Sequence, residues 1–162
     1  MVGVAMMAAP GAAQGRWSLE AGGALAHVND LNEWAAAFDA HVGVDVSSRA
    51  RVTFGLARWF DPSATNGFYS WGGLGADLGV QVRVVGDDRL GLRATGLAHG
   101  SVGNDGDGTL QVHVGPSVGL QLEARLTGPL RFYLGGAGHL FVRTDGDIDP
   151  GANARAGLAV RL

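Results

Sequence analysis

The feature that most constrains this chain is a two-residue alternation of apolar and polar side chains, which recurs in eight separate stretches. In residues 110–126 every even position is uncharged, while the odd positions carry amides, a histidine, a glutamate and an arginine. Successive side chains of a β-strand point to opposite faces, so each stretch predicts a strand with one apolar and one polar face. The stretches exceed the usual five or six residues and suit the roughly 9–11 tilted residues that cross a bilayer.

The alternation predicts strands at residues 17–28, 34–46, 50–60, 71–85, 90–102, 110–126, 130–144 and 154–162. The connections after the second, fourth and sixth strands are tight turns, whereas the others are mostly longer and rich in Gly, Asp and Asn. Alternate connections of an up-and-down barrel meet at the same end. We therefore predict one all-β domain over residues 15–162, an eight-stranded antiparallel up-and-down transmembrane β-barrel. It has a short-turn end and a long-loop end, with Asp45 opposite Arg51 and Leu126 opposite Leu130.

The polar faces of the strands predict the inside of the barrel. They are rich in glycine, which covers little of a solvated surface but fits the narrow interior of eight strands. They also carry both signs of charge, and an unpaired charge in such an interior costs several kcal/mol. We expect Asp45–Arg51 and Glu123–Arg131 to be ion pairs within a polar lumen network. Its predicted members are Glu20, Asp39, His41, Asp45, Arg51, Asp77, Arg83, Arg93, Glu123, Arg125 and Arg131.

The apolar faces predict a lipid-facing exterior with two departures. Arg58 falls near the end of its strand, where the headgroup level tolerates it, and Pro116 predicts a bulge. Aromatic residues cluster at the long-loop end and predict an interfacial girdle, with packing of the loops over the barrel mouth as the alternative. These residues are Trp34, Trp59, Phe60, Phe68, Tyr69 and Trp71.

The composition and the first residues of the chain limit the classes of function that it can have. Residues 1–14 are apolar and end in small residues, which predicts the remnant of a secretory signal peptide. There is no cysteine, and the net charge of −3 gives no basic footprint for nucleic acid. The inward-facing residues His41, His113 and His139 are read as lumen packing rather than metal ligands. We predict no metal, cofactor or nucleic-acid partner.

With this alternation and these connections, residues 16–162 resemble the small bacterial outer-membrane β-barrel family, of the outer membrane protein A and outer membrane protein X type. The last stretch, ending at Leu162, resembles the family's terminal assembly signal, although its final residue is not aromatic. The resemblance implies insertion by the barrel-assembly machinery and contact with outer-membrane lipid and lipopolysaccharide. It also implies periplasmic short turns and long loops outside, open to an unidentified extracellular ligand. A non-catalytic structural or surface-interaction role follows, with at most a narrow pore.

Two other classes of protein remain as alternatives. His99 and Ser101 resemble the His-x-Ser of the lipid A deacylases, which are also eight-stranded barrels. Acyl transfer needs an acid to orient the histidine, but Glu123 of the same hairpin lies about 30 Å away by strand rise. His99 also faces inward, so we expect no enzyme. The second alternative, a soluble lipocalin-like carrier barrel, requires the apolar faces to point inward.

Overall fold

In the computed structural model, eight antiparallel strands close into a barrel in which each strand pairs with its neighbours in sequence and β1 pairs with β8. The structure describes residues 16–28, 33–60, 73–104, 110–144 and 146–162. The strands are β1 (Trp17–Val28), β2 (Glu33–Asp45), β3 (Ala50–Phe60), β4 (Gly73–Gly86), β5 (Leu90–Asn104), β6 (Leu110–Thr127), β7 (Leu130–Arg143) and β8 (Ile148–Arg161). The predicted fold class is confirmed. Over the described ranges, no helix has the length and apolar character needed to cross a bilayer.

The main difference in strand bounds is at β8, which begins at Ile148 and not at residue 154. Pro150 and Gly151 indicate a loop locally, but the ladder with β7 extends through Pro150 opposite Leu140. Pro150 lies beyond the last residue of β1 that pairs with β8, so its missing N–H breaks no ladder on that side. The predicted signal remnant, residues 1–14, lies outside the described residues.

The apolar faces point away from the barrel axis and the polar faces point into the lumen. Val80, Val114 and Leu120 are 42%, 56% and 54% exposed, whereas Arg51 and Gln81 are 0% and 2% exposed. The soluble carrier alternative is wrong, because it needs the reverse arrangement. A closed ladder leaves no strand edge unpaired, and an apolar outer surface suits hydrocarbon.

The strand registers test two predicted pairings. Asp45 lies opposite Arg51, as predicted. Leu126 opposite Leu130 is wrong, because the register shifts after Arg125 and places Thr127 opposite Leu130. The shift lies beside a turn in which Gly128 adopts a φ of +50°.

The bulge predicted at Pro116 is also wrong. Pro116 pairs with Ala98 of β5 in continuous register. Pairing with β7 includes Val114 and resumes at Ser117 without a shift. The proline therefore interrupts one ladder and inserts no extra residue.

The predicted aromatic girdle is partly wrong. Trp59 points into the lumen and lines a cavity there, because the odd positions of β3 face inward. Phe60 is only partly exposed and lies 5.5 Å from the Phe38 ring, centroid to centroid. Arg58 lies between Phe38 and Leu74 in register, in the outward-facing set of positions. Phe68, Tyr69 and Trp71 lie outside the described residues, as does the side chain of Trp34.

The lumen is narrow enough to require glycine at particular positions. At Gly157 an added Cβ would collide with the Tyr133 hydroxyl and with the backbone of Ala21 and Gly22. At Gly55 it would collide with the imidazole of His41. Large side chains therefore fill the space that glycine on the neighbouring strand leaves open, since Tyr133 is the register partner of Gly157 and His41 that of Gly55.

Candidate functional site in the barrel lumen

Glu123 on β6 is the centre of an ion-pair cluster in the short-turn half of the lumen. Its carboxylate oxygens lie 3.0 Å from Arg93 Nε, 3.2 Å from Arg131 Nε, 3.3 Å from Arg161 Nη2 and 3.9 Å from Arg51 Nη1. These four arginines come from β5, β7, β8 and β3, so one carboxylate joins strands from both sides of the barrel. Glu123 is buried, and a buried carboxylate requires such compensation.

Arg51 links this cluster to the next layer of charge. Its Nε donates a hydrogen bond to Asp45 Oδ1 at 2.8 Å, and its Nη1 donates to Glu20 Oε1 at 3.0 Å. Arg51 has no exposed surface. The same guanidinium thus reaches Asp45, Glu20 and Glu123, which fixes its orientation and closes the lumen at this level.

A second cluster forms around Asp39 in the middle of the barrel. Arg155 Nε lies 3.2 Å from Asp39 Oδ2, and Arg155 Nη2 lies 3.5 Å from Glu20 Oε2. The Tyr133 hydroxyl donates to Asp39 Oδ1 at 3.3 Å, and His41 Nε2 lies 3.4 Å from Asp39 Oδ2. The Arg155 guanidinium also lies over the Tyr133 ring, 4.8 Å from its centroid. Glu20 therefore connects the two clusters.

A histidine–aspartate pair lies at a third level. His99 Nδ1 and Asp77 Oδ1 are 2.5 Å apart, and the two residues are register partners on β5 and β4. Phe141 stacks on His139 with ring centroids 5.1 Å apart and lies 5.2 Å from His99. No group of three or more His, Cys, Asp or Glu side chains within the described ranges is arranged to hold a metal ion.

Between these layers lies a cavity of about 40 Å³. Its lining includes His41, Gln81, His99, Gln121 and His139. A volume of this size holds about three water molecules. It suits waters bridging these polar groups, and it is far smaller than a pocket for an organic ligand.

Two predicted members of the network lie at the rim of the short-turn end. Arg125 is exposed, and its Nε donates to the Gly128 carbonyl at 2.9 Å. The prediction that Arg125 belongs to the buried network is therefore wrong. Arg125 lies opposite Arg131, and the register shift begins beside it. Arg83 Nη2 donates to Asp88 Oδ1 at 2.7 Å, also at the rim.

Asp88 belongs to the rim but was missed in the sequence, where it reads as a turn residue between β4 and β5. Arg131 Nη1 donates to its backbone carbonyl at 2.7 Å, and Arg161 Nη1 lies 3.4 Å from its Oδ1. The hydrogen bond from Arg83 holds the pKa of Asp88 below its ordinary value of 3.8. The nearby Arg161 and Arg131 charges act in the same direction.

Arg155, Arg161 and Tyr133 also belong to the network, although the predicted network does not include them. All three occupy odd positions on β7 and β8, where the alternation predicts inward side chains. Face parity therefore predicts their direction. Their partners on β1, β2 and β6 could not be identified, because parity does not say which strands meet across the lumen.

The geometry gives His99 a partner but no lipid substrate. Acyl-transfer enzymes need an acid that orients the histidine, and Asp77 lies within hydrogen-bond distance of His99. Ser101 is the next inward position of β5 and is partly buried. Both His99 and Ser101 lie on the lumen side of the wall, whereas lipid acyl chains lie outside it.

Several known structures share this architecture. No protein-family model matches the sequence, and no curated protein matches it. Among solved structures, Neisserial surface protein A matches with a TM-score of 0.65 at 12% identity, covering 91% of this chain and 97% of that chain. The N-terminal β-barrel domain of Pseudomonas aeruginosa OprF matches with a TM-score of 0.68 at 12% identity, covering 92% and 100%.

Ail, the attachment invasion locus protein of Yersinia pestis, matches with a TM-score of 0.54 at 12% identity, covering 91% of this chain and 99% of that chain. At such identities the likeness establishes the fold. That likeness agrees with the closed ladder of eight strands described above. The chain therefore has the same eight-stranded β-barrel fold as these bacterial proteins.

Proposed function

We propose that this chain is an integral outer-membrane protein with a non-catalytic role, in which a closed barrel holds the long-loop connections at the membrane surface. The observation that carries the proposal is the filled lumen. Glu123 and Asp39 join inward side chains from most strands, and the cavity between them holds only a few waters. Such an interior offers neither a wide passage nor a reactive group open to lipid.

The connections at the long-loop end suggest the chemistry of the ligand. Each of the four carries acidic residues in the sequence, including Asp30, Asp61, Asp105 and Asp145. The Ail structure was solved in complex with the heparin analogue sucrose octasulfate, a polyanion. Carboxylates repel a polyanion, so we propose a ligand with a basic surface for this chain.

Three measurements on purified protein test the proposal. The folded barrel is expected to stay with phospholipid vesicles after an alkaline wash and to migrate differently on gels before and after boiling. In planar bilayers it is expected to give no stepwise conductance, because ion-paired side chains and side chains packed against glycine fill the lumen. Partitioning into the aqueous phase without detergent overturns the membrane role, and regular conductance steps overturn the closed lumen.

The Asp77–His99 pair favours a second candidate, a lipid A acyl hydrolase that uses Ser101. The inward direction of both residues argues against it. We expect Ser101→Ala to leave the acylation of lipid A in a host strain unchanged. A deacylated lipid A that disappears with Ser101→Ala, while the variant still folds, establishes the enzyme instead.

A further inference from the structure

The short-turn end of the barrel carries an exposed arginine at each of its four corners. Arg16 precedes β1 beside the end of β8, Arg49 lies in the β2–β3 turn, and Arg89 lies in the β4–β5 turn. Arg125 lies at the β6–β7 turn. All four side chains are exposed. We call these four residues the arginine rim.

The backbone holds three of these arginines at the barrel edge. The carbonyl of Arg16 accepts a hydrogen bond from the Asp45 N–H at 3.0 Å. The carbonyl of Arg49 accepts from Arg83 N–H at 2.8 Å, and that of Arg89 accepts from Arg125 N–H at 2.7 Å. Each arginine is thus tied to the neighbouring hairpin, and the four are spaced around the circumference rather than clustered on one side.

An exposed apolar side chain lies within three positions in sequence of each residue of the arginine rim. The neighbours, with their exposed fractions, are Trp17 (52%), Val46 (52%), Leu90 (55%) and Leu126 (56%). These side chains mark the place where the apolar exterior ends. Arg16 and Arg125 have the inward parity of β1 and β6, so when these apolar side chains lie in hydrocarbon the exposed arginines lie at the rim of the lumen, at headgroup depth. From there the long arginine side chain can extend over the rim to the headgroups.

The guanidinium groups of the arginine rim are largely uncommitted. Within the described part of the chain, the side chains of Arg16, Arg49 and Arg89 form no ion pair, and Arg125 donates to a turn carbonyl. The two acidic residues of the β4–β5 turn, which also contains Arg89, already accept hydrogen bonds from other groups. Asp87 accepts the backbone N–H groups of Arg89 and Leu90, and Asp88 accepts Arg83.

We propose that the arginine rim binds the phosphate groups of anionic phospholipids in the leaflet at the short-turn end. Arginine matches phosphate with a planar fork of donors, and this chain contains no lysine. The apolar neighbours hold each guanidinium at the depth of the phosphate. The inference rests on the proposed membrane insertion and adds a lipid class and a leaflet to it.

Trp17 provides a probe beside Arg16. A variant with Trp34→Phe, Trp59→Phe and Trp71→Phe keeps Trp17 as its tryptophan, since the chain has 4. We would measure quenching of Trp17 by brominated phosphatidylglycerol and by brominated phosphatidylcholine in vesicles. The ratio of the two binding constants is expected to favour phosphatidylglycerol and to fall when salt screens the charges.

Arg16→Gln is expected to lower this ratio by about fivefold, the factor that corresponds to one basic residue at an anionic surface. Arg58→Gln is the matched control, because it removes an arginine from the outward face near the opposite end. It is expected to leave the ratio unchanged. A ratio near unity before mutation, or an equal fall with Arg58→Gln, overturns the lipid inference while quenching by both lipids still supports insertion. Absence of quenching by either lipid overturns the proposed insertion itself.

Discussion

Glu123 shows how much can depend on a single carboxylate. Replacing it by Gln removes the negative charge that Arg93, Arg131 and Arg161 share in a buried position. Breaking a buried pair by removing one partner costs about 3–5 kcal/mol, because the remaining charge is uncompensated. We expect Glu123→Gln to lower the free energy of unfolding by that amount, measured from urea-induced unfolding in phospholipid vesicles.

Asp147→Asn is the control for this prediction. Asp147 pairs with Arg143 at 3.2 Å, but its side chain is 73% exposed. Exposed pairs contribute about 0–1 kcal/mol. Equal losses in the two variants would show that the charges around Glu123 are solvated and that the lumen is not closed at this level.

Gly157 gives a second test of the lumen at the residue scale. In Gly157→Ala the new Cβ meets the Tyr133 hydroxyl and the backbone of β1, which cannot move without breaking the ladder. Overpacking of this kind costs about 1–3 kcal/mol. We expect a fall of that size in the free energy of unfolding.

The matched control is Gly96→Ala on β5, where nothing lies within 4 Å of the added Cβ. This substitution is expected to be neutral or to stabilise by under about 1 kcal/mol, because alanine restricts the unfolded chain. If Gly157→Ala and Gly96→Ala behave alike, the interior has more free space than the structure shows.

At the scale of elements, the β4–β5 turn is expected to respond to acid. Its Asp88 accepts a hydrogen bond from Arg83 and has a lowered pKa. A carboxyl whose pKa is lower in the folded state contributes stability above its unfolded pKa, and this contribution disappears as pH falls through the folded value. The Asp88 side chain is 54% exposed, so screening by solvent keeps the effect small.

We therefore compare the free energy of unfolding with that of Asp88→Asn across pH. The difference between the two proteins is expected to be constant near neutral pH and to shrink below about pH 4. A difference that grows on acidification would mean that the Asp88 carboxyl is not held in its charged form by Arg83.

The strands themselves could be predicted closely, because a period of two residues is maintained through each. β1 and β3 have the predicted bounds, and the others differ mainly near their ends. The prediction failed where tertiary pairing outweighed local signals. Pro150 was assigned to a loop, yet it lies within the ladder of β7 and β8. Leu126 and Leu130 were aligned by face parity, which does not reveal the extra residue that shifts the register.

At the scale of the whole molecule, the direction of the two faces was predicted from glycine content and balanced charge, and the structure shows that arrangement. Asp45–Arg51 was predictable because the two residues flank one tight turn. The long-range contacts were not, because strand tilt decides which residues meet across the lumen. Arg155 with Asp39 and Arg51 with Glu123 illustrate this limit, although all four lie at inward positions.

The pairing of β1 with β8 determines when the molecule can become stable. Ser18 is the register partner of Arg161, and the Trp17 carbonyl accepts the Leu162 N–H at 2.8 Å, so the seam joins residues from opposite ends of the described part of the chain. Until this seam forms, β1 and β8 each present a row of unpaired amides that hydrocarbon cannot solvate. A polypeptide that contains only β1 to β7 therefore cannot form a stable structure in a bilayer. It must be kept from aggregating until β8 has been synthesised.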